Sequence, residues 1–352
     1  MYIKNDVLYF LSCFYSHMGK RQINKICVIR LSSLGDVVQA SAALRALRNA
    51  FPSAKITFVV AKGFEEPLTK SPIIDELITY DRGGRNLQNV AKFWGLIGTL
   101  FSKRFDLLID LHFNNRTRLI SFLSMPRHRT PVLGNYSGMP NLVRHELFLK
   151  RLGIDNPLPL MESWLGDDDL EFARKFLNHA SVGPTDFVVG LNPGVNWTSK
   201  QWPTEFFAEV GDHFSLYHNA KTIVFGGPND REKALDINKR MEKKPILAAG
   251  RTTFLQAGAL IKRTNLFITG DTGLMHLARG LAIPTVAIFG GTDPKIHTDP
   301  LPPFMRVIRD DSCPPCYKYH CPKKLRECLW SINPEKVISQ AEELLKAHYE
   351  QK

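Results

Sequence analysis

The sequence predicts two parallel α/β units, and three observations carry that prediction. Short β-rich runs alternate with stretches of helical period along most of the chain. The strand runs are continuously apolar rather than alternating, as in parallel sheets covered on both faces. The alternation breaks once, at "GIDNPLPLMESWLGDDD", where prolines and glycines replace periodicity, so residues 153–166 read as a linker.

The elements follow in order. "KICVIRL" (25–31) is the first strand and "SSLGD" the turn after it. A helix is expected from Val37 to Ala50, with Val37, Ser41, Leu44 and Leu47 at helical spacing and Phe51-Pro52 ending it. "KITFVVA" (55–61) and "FDLLIDL" (105–111) are the next strands. Beyond the linker come "DFVVGLN" (186–192), "KTIVFGG" (221–227), "NLFITG" (265–270) and "PTVAIFG" (284–290), with helices between them, one from Arg231 to Met241. The expected organisation is an extension over 1–24, a Rossmann-like domain over 25–160 and a second over 161–352. Two such domains would face each other across a cleft where strand carboxyl ends gather.

A chain of 352 residues is long enough for two cores. Its 44% hydrophobic and 23% charged residues describe a globular protein. The net charge of +12 calls for an acidic partner: nucleotide, phosphorylated lipid, anionic membrane or nucleic acid. No apolar run reaches the ~18 residues of a spanning helix. The head "MYIKNDVLYFLSCFYSHMGKR" is a poor secretory signal, because Asp6 stands in the basic region and no small-residue cleavage site follows. A frayed extension and a surface-lying helix both fit it. Neither G-x-G-x-x-G nor G-x-x-x-x-G-K-[ST] occurs, which argues against dinucleotide dehydrogenases and P-loop enzymes.

Each strand of the second half runs into a polar or glycine-rich loop, the place where such folds receive ligands. In "GDTGLMH", Gly273 lets a helix start close to a ligand and leaves its first amides open to phosphate. Thr272 and His276 share one face of that helix start. Asp271 would repel phosphate, so orienting a neighbour or accepting from a sugar hydroxyl suits it better. Capping by Asp271 or Thr272, with His276 in the core, explains the same residues equally well. In "NWTSKQWP", Lys200 is the cation for a phosphate, Thr198 and Ser199 add hydroxyls, and Trp202-Pro203 pins the loop; a solvated lysine is the plainer reading. Asp230 in "FGGPNDRE" suits a ribose hydroxyl pair, or else caps the helix after it.

In the first half, Asp36 follows the first strand at a helix N-terminus, where the dipole keeps a carboxylate ionised. It would be a weak base, always available to a hydroxyl proton; an N-cap is the plainer alternative. Near the C-terminus, Cys313, Cys316, Cys321 and Cys328, with His320 among them, open on C-x2-C. A structural Zn or Fe thiolate site, free thiols and one disulfide all fit.

Taken together and in order, "RLSSLGDVVQASAALRALRNAFP", "FDLLIDLH", "LNPGVNWTSKQWPTEFFAEV", "VFGGPNDRE", "AAGRTTFLQAGALI" and "GDTGLMHLARGLAIPTVAIFGGTDP" resemble glycosyltransferase family 9, the ADP-heptose:lipopolysaccharide heptosyltransferases, from about residue 25 to 345. The resemblance implies a GT-B architecture, an N-terminal acceptor domain, a C-terminal donor domain and inverting transfer without a cofactor. It implies Asp36 as general base. It implies donor binding by Thr198, Lys200, Asp230, Thr252, Asp271, Thr272, Gly273 and His276. The expected partners are ADP-heptose, a phosphorylated glycolipid of the lipopolysaccharide core and the anionic inner membrane, with no nucleic acid. The expected location is cytoplasmic, at the inner membrane face. A related branch that modifies autotransporter proteins holds iron through cysteines, which bears on the four here. A family member acting on a protein or another glycan, and a nucleotide-sugar binder without transfer, are the competing expectations.

Overall fold

The structure, a computed structural model, describes residues 23–82, 87–130, 136, 138–154, 158–323 and 326–350. Of the extension expected over 1–24, residues 1–22 lie outside the described residues. The chain divides into two compact units, Met1–Met161 and Glu162–Lys352.

The first unit is built on five parallel strands: β1 (Lys25–Ile29), β2 (Lys55–Ala61), β3 (Glu76–Tyr80), β4 (Leu107–Asp110) and β5 (His128–Arg129). Their order is β3-β2-β1-β4-β5, with Ile26 paired to Ile56 on one side and Leu107 on the other. The helices are α1 (Leu34–Ala50), α2 (Leu87–Lys103), α3 (Asn115–Leu123) and α4 (Asn141–Lys150). Every residue of β4, and all of β1 and β2 except their first lysines, is buried, as continuous apolar runs require. Ile29, Leu31, Val59, Leu100, Leu108 and Ile120 form the core on one face. Each such burial contributes about 1.5–3 kcal/mol. The small residues of "ASAAL" let α1 lie close, so that Ala40, Ser41, Ala42 and Ala43 are all buried.

The second unit carries six parallel strands: β6 (Val188–Asn192), β7 (Lys221–Val224), β8 (Ile246–Leu247), β9 (Leu266–Gly270), β10 (Thr285–Phe289) and β11 (Met305–Arg309). Their order is β11-β10-β9-β6-β7-β8. Helices α5 (Asp167–His179), α6 (Thr204–Tyr217), α7 (Arg231–Arg240), α8 (Phe254–Ile261), α9 (Gly273–Gly280), α10 (Pro294–Thr298), α11 (Glu327–Trp330) and α12 (Pro334–Glu350) accompany them. Alternate strand residues serve two cores. Val189, Leu191 and Ile268 meet Phe207, Phe214 and Leu344, while Val188, Ile223 and Phe267 meet Leu260 and Leu277. Gly190 is required here, because a Cβ would lie 2.6 Å from the Phe267 ring.

Both sheets reverse their order beside their first strand, at β1/β4 and at β6/β9. Helices leave such neighbours toward opposite faces, which opens a crevice at the carboxyl ends. The fold class expected from the sequence, two Rossmann-like parallel α/β units, is the one observed.

Candidate active site

At the β6/β9 reversal the two strands end in Asn192 and Gly270. Lys200 reaches back from a 3₁₀ turn, Thr198–Lys200, and its Nζ lies 2.6 Å from Asp271 Oδ2. The Thr292 hydroxyl, just past β10, donates to the same oxygen at 2.8 Å. Asp271, for which the sequence leaves two uses open, is thus a neighbour's orienting partner. Burial pushes its carboxyl up, yet Lys200, His297 and His276 together bring it below the usual value. Lys200 has three N–H donors, so this bond leaves two for an anion. Its ammonium also stands 4.7 Å from the Trp197 ring centroid.

Thr272 is the N-cap of α9, its hydroxyl oxygen accepting from Met275 N at 3.3 Å and from Asn192 Nδ2 at 3.0 Å. The capping explanation is therefore correct for Thr272. Its oxygen also lies 3.4 Å from the Thr269 hydroxyl, which gives its own proton to Gly270 O at 2.9 Å. Gly273 and Leu274 follow as first-turn residues whose N–H groups precede the helical ladder. His276 is buried one turn on, and its ring lies within 4.8 Å of Asp271 and His297, measured between ligand atoms. Arg279, buried in the same helix, donates to Thr298 O at 2.9 Å and Pro300 O at 2.6 Å, which fixes the short α10 that carries His297.

Asp230 occupies the N-cap position of α7, but its carboxylate turns back to Gly227 N at 3.0 Å and to Lys233 Nζ at 2.7 Å. It lies so close to Gly194, in the loop after β6, that a Cβ there would sit 2.4 Å from Oδ2. Thr252 is half-buried directly before Thr253, the N-cap of α8. Trp202 pins its loop as expected, fully buried and donating to Ile332 O at 2.8 Å.

The hydroxyls of Thr198 and Ser199 are turned to the cysteine-bearing segment. Thr198 donates to Tyr319 O at 3.1 Å and Ser199 to Lys318 O. Tyr317 N and Gly291 N complete this clamp, donating to Gly291 O and Ser199 O. Cys313, Cys316, Cys321 and Cys328 border a cavity of about 110 Å³ whose wall includes Ser199 and Gly291. All four are free thiols. Burial, then the neighbouring sulfurs, pushes the Cys328 thiol up. Among the described residues, the groups whose ligand atoms all fall within 4.8 Å are His213–His218–Glu342 and Asp271–His276–His297; the cysteines form no such group.

In the first unit, β1 runs into Arg30 and then into Ser33, the N-cap of α1. Asp36 is the third residue of that helix rather than its cap, and its Oδ2 accepts from the Ser33 N–H and hydroxyl, both at 2.9 Å. Its Oδ1 pairs with Arg30 Nη2 at 2.7 Å and accepts from Asn141 Nδ2 at 3.1 Å. Arg30 is itself anchored on Leu111 O across the β1/β4 reversal, and Arg144 holds Asn141 Oδ1 at 2.9 Å. These contacts hold the Asp36 side chain in place with about a fifth of it exposed. Past β4, burial lifts the Asp110 carboxyl to about 6. Burial and then Arg30 lower His112 to about 4, so its imidazole is neutral at pH 7. An open cavity of about 490 Å³ nearby is lined by Leu31, Arg82, Asn114, Asn115 and Arg116.

Sequence reasoning misses Asn192, Thr292 and His297 in one unit, and Arg30, Asn141, Arg82 and Arg116 in the other. The signal for several was positional: Arg30 and Asn192 stand at the ends of the two central strands, as do the residues that were found.

The family model described as glycosyltransferase family 9 (heptosyltransferase) matches residues 114–326. Lipooligosaccharide heptosyltransferase 2 of Campylobacter jejuni is 31% identical over 327 residues, 89% of this chain and 96% of that one. The crystal structure of a family 9 glycosyltransferase from Veillonella parvula superposes with a TM-score of 0.80 at 27% identity, covering 93% of this chain and 99% of that one. An ADP-heptose lps heptosyltransferase II from E. coli shares the fold, with a TM-score of 0.71 at 22% identity over 92% and 99% of the two chains. The chain belongs to glycosyltransferase family 9, the heptosyltransferases, and is a transferase.

Proposed function

We propose that this enzyme transfers heptose, with inversion, from ADP-heptose to the phosphorylated inner core of a lipopolysaccharide or lipooligosaccharide. The observation that carries the reading is the division of chemistry between the two sheets. Groups that attract phosphate gather at the β6/β9 reversal of one unit, and a carboxylate paired with Arg30 stands at the β1 end of the other.

In this reading the donor lies on residues 161–352. Lys200, the Thr272 hydroxyl and the amides that begin at Gly273 receive the diphosphate, with His276 beside them. Thr198 and Thr252 border it, and Asp230 meets the ribose. Asp271 is a positioning residue that aims Lys200. The acceptor lies on residues 25–160, its phosphates drawn to Arg82 and Arg116. Burial and the nearby Arg116 both lower the Arg82 pKa, as expected of two guanidiniums facing one pocket. The acceptor hydroxyl attacks the anomeric carbon as the carbon–oxygen bond to the diphosphate breaks. Asp36 takes the hydroxyl proton, and ADP leaves with the bonding pair. Preorganised charge at Lys200 and α9 stabilises that leaving diphosphate while the sugar passes through an oxocarbenium-like state. The step needs no cofactor.

No helix among the described residues is long and apolar enough to cross a membrane. With a glycolipid acceptor and a charge of +12, we place the enzyme against the anionic cytoplasmic face of the inner membrane. We also propose a structural zinc or iron at Cys313, Cys316, Cys321 and Cys328. The four thiols line one cavity but no three of their sulfurs lie within 4.8 Å of one another, so a metal would have to draw them together, and its effect would be to brace segment 317–320 against the Thr198–Lys200 turn. Metal analysis of purified protein tests this: roughly one zinc or iron per chain is expected, and a content near zero overturns it.

A donor screen tests the main reading. With a heptose-deficient core as acceptor, ADP-heptose should give a product one heptose heavier and release ADP, while UDP- and GDP-sugars give none. Transfer from those sugars instead, or to a protein and not to the core, overturns it.

A further inference from the structure

The first unit exposes an apolar face that the chemistry above does not use. Helix α2 turns Leu96, Ile97 and Leu100 into the core. Val90, Trp94 and Phe101, on an adjoining stripe of the same helix, are each more than half exposed. The neighbouring helix α3 repeats the pattern: Ile120 is buried, while Leu119 and Phe122 face solvent, and Met125 just beyond is 71% exposed. Large apolar side chains scattered singly are ordinary, but five on two touching helices and a sixth just beyond them mark a contact surface.

Charge indicates what covers it. Residues 88–130 contain seven Lys and Arg and only two acids, Asp106 and Asp110. Both acids are engaged elsewhere: half-buried Asp106 accepts from the Asn24 and Lys25 N–H groups, and Asp110 is buried. Lys92 and Lys103 pair with Asp81 and Glu76, leaving Arg104, Arg127 and Arg129 among the cations that give the region its positive excess. The Arg129 guanidinium lies 4.8 Å from the Phe122 ring centroid, so cation and apolar ring share one patch. Tryptophan, phenylalanine and arginine side by side suit the boundary between lipid headgroups and acyl chains. A second copy of the chain, equally cationic, would be repelled.

We propose that the face formed by α2 and α3 docks on an anionic lipid bilayer, inserting Trp94, Phe101 and Phe122 while the arginines meet lipid phosphates. This deepens the reading of the acceptor as a glycolipid and rests on it, because it places the membrane contact on the unit that carries Asp36.

The test uses the full chain and vesicles of phosphatidylglycerol with phosphatidylethanolamine, against vesicles of phosphatidylcholine alone. The protein should sediment with the anionic vesicles and be released by high salt, and its tryptophan emission should shift to the blue in Trp94-containing protein but not in Trp94→Phe. The double variant Trp94→Ser/Phe122→Ser should partition at least tenfold less, with an unchanged melting temperature and unchanged transfer to a deacylated, water-soluble core. Met125→Glu, at a more exposed position, provides a second variant and should also weaken partitioning. Vesicle binding that survives these substitutions overturns the proposal, as does a change of oligomeric state on substitution, which would give the face to a second copy. Failure of the wild-type chain to transfer to the deacylated core would overturn the functional reading instead, whatever the vesicles show.

Discussion

Lys200 Nζ and Asp271 Oδ2, seventy-one residues apart in sequence, meet at 2.6 Å with little solvent around either. Removing one partner from such a pair leaves an uncompensated buried charge. Lys200→Met should therefore lower stability by about 3–5 kcal/mol, and Lys200→Met/Asp271→Asn by clearly less. Urea unfolding of the two variants beside the wild type checks this; equal losses would mean the pair is not coupled. Both variants should bind ADP more weakly, because the cation is gone in each.

The same carboxylate sets an acid limit. The folded-state pKa of Asp271 is below its ordinary value, so its contribution is present above about pH 4 and lost as pH falls through the folded value. Asp271→Asn should flatten the loss of stability on acidification, measured by denaturant midpoints across the acid range. An unchanged slope would contradict the placement.

Asp110 acts in the opposite sense. With its carboxyl raised to about 6, the folded state holds this proton more tightly than the unfolded chain. Its contribution is complete below about pH 4 and is lost as pH rises through about 6. Asp110→Asn should remove this dependence and gain about 1–3 kcal/mol over the wild type at pH 8. A variant less stable than wild type at pH 8 would show that the ionised form is satisfied in the fold.

Asn141 carries no charge, yet it holds Asp36 on one side and is held by Arg144 on the other. Asn141→Ala should slow turnover by about tenfold to a hundredfold while leaving ADP affinity and KM for the donor unchanged. A change in donor KM with constant kcat would place the residue elsewhere in the cycle.

His297 reaches Asp271 and His276 from α10, a helix held in place by Arg279. Its loss should weaken ADP binding by about tenfold, the value of one charge-assisted hydrogen bond, with little effect on the melting temperature. Calorimetric titration of His297→Ala with ADP reads this, and wild-type affinity would exclude His297 from the site.

The central strands were legible because burial on both faces forces continuous apolar runs, and β2 begins and ends at Lys55 and Ala61 as read from the sequence. The edge strands were not. β5 and β8 are two residues long, and β3 is only partly buried, so pairing with a neighbour rather than local pattern makes them strands. The polar end of β9 stood out, since an apolar run that stops at Asp271 has no packing reason to do so, whereas Arg30 and Asn192, at the ends of β1 and β6, read as the last residues of ordinary strands. What each polar residue touches was hidden. Asn141 meets Asp36 across 105 residues and Thr292 meets Asp271 across 21, separations that no local spacing records. Resemblance to the family supplied Asp36, Lys200 and Asp271, but not Arg30, and not that Asp271 is what holds Lys200.

Asp36→Asn keeps the shape of the proposed base but cannot take the proton from the acceptor hydroxyl. The measurement is heptose transfer from ADP-heptose under single-turnover conditions, with ADP affinity determined on the same preparation. If Asp36 takes the proton, transfer falls about 10²–10⁴-fold with ADP binding unchanged. Transfer within a few-fold of wild type would contradict it.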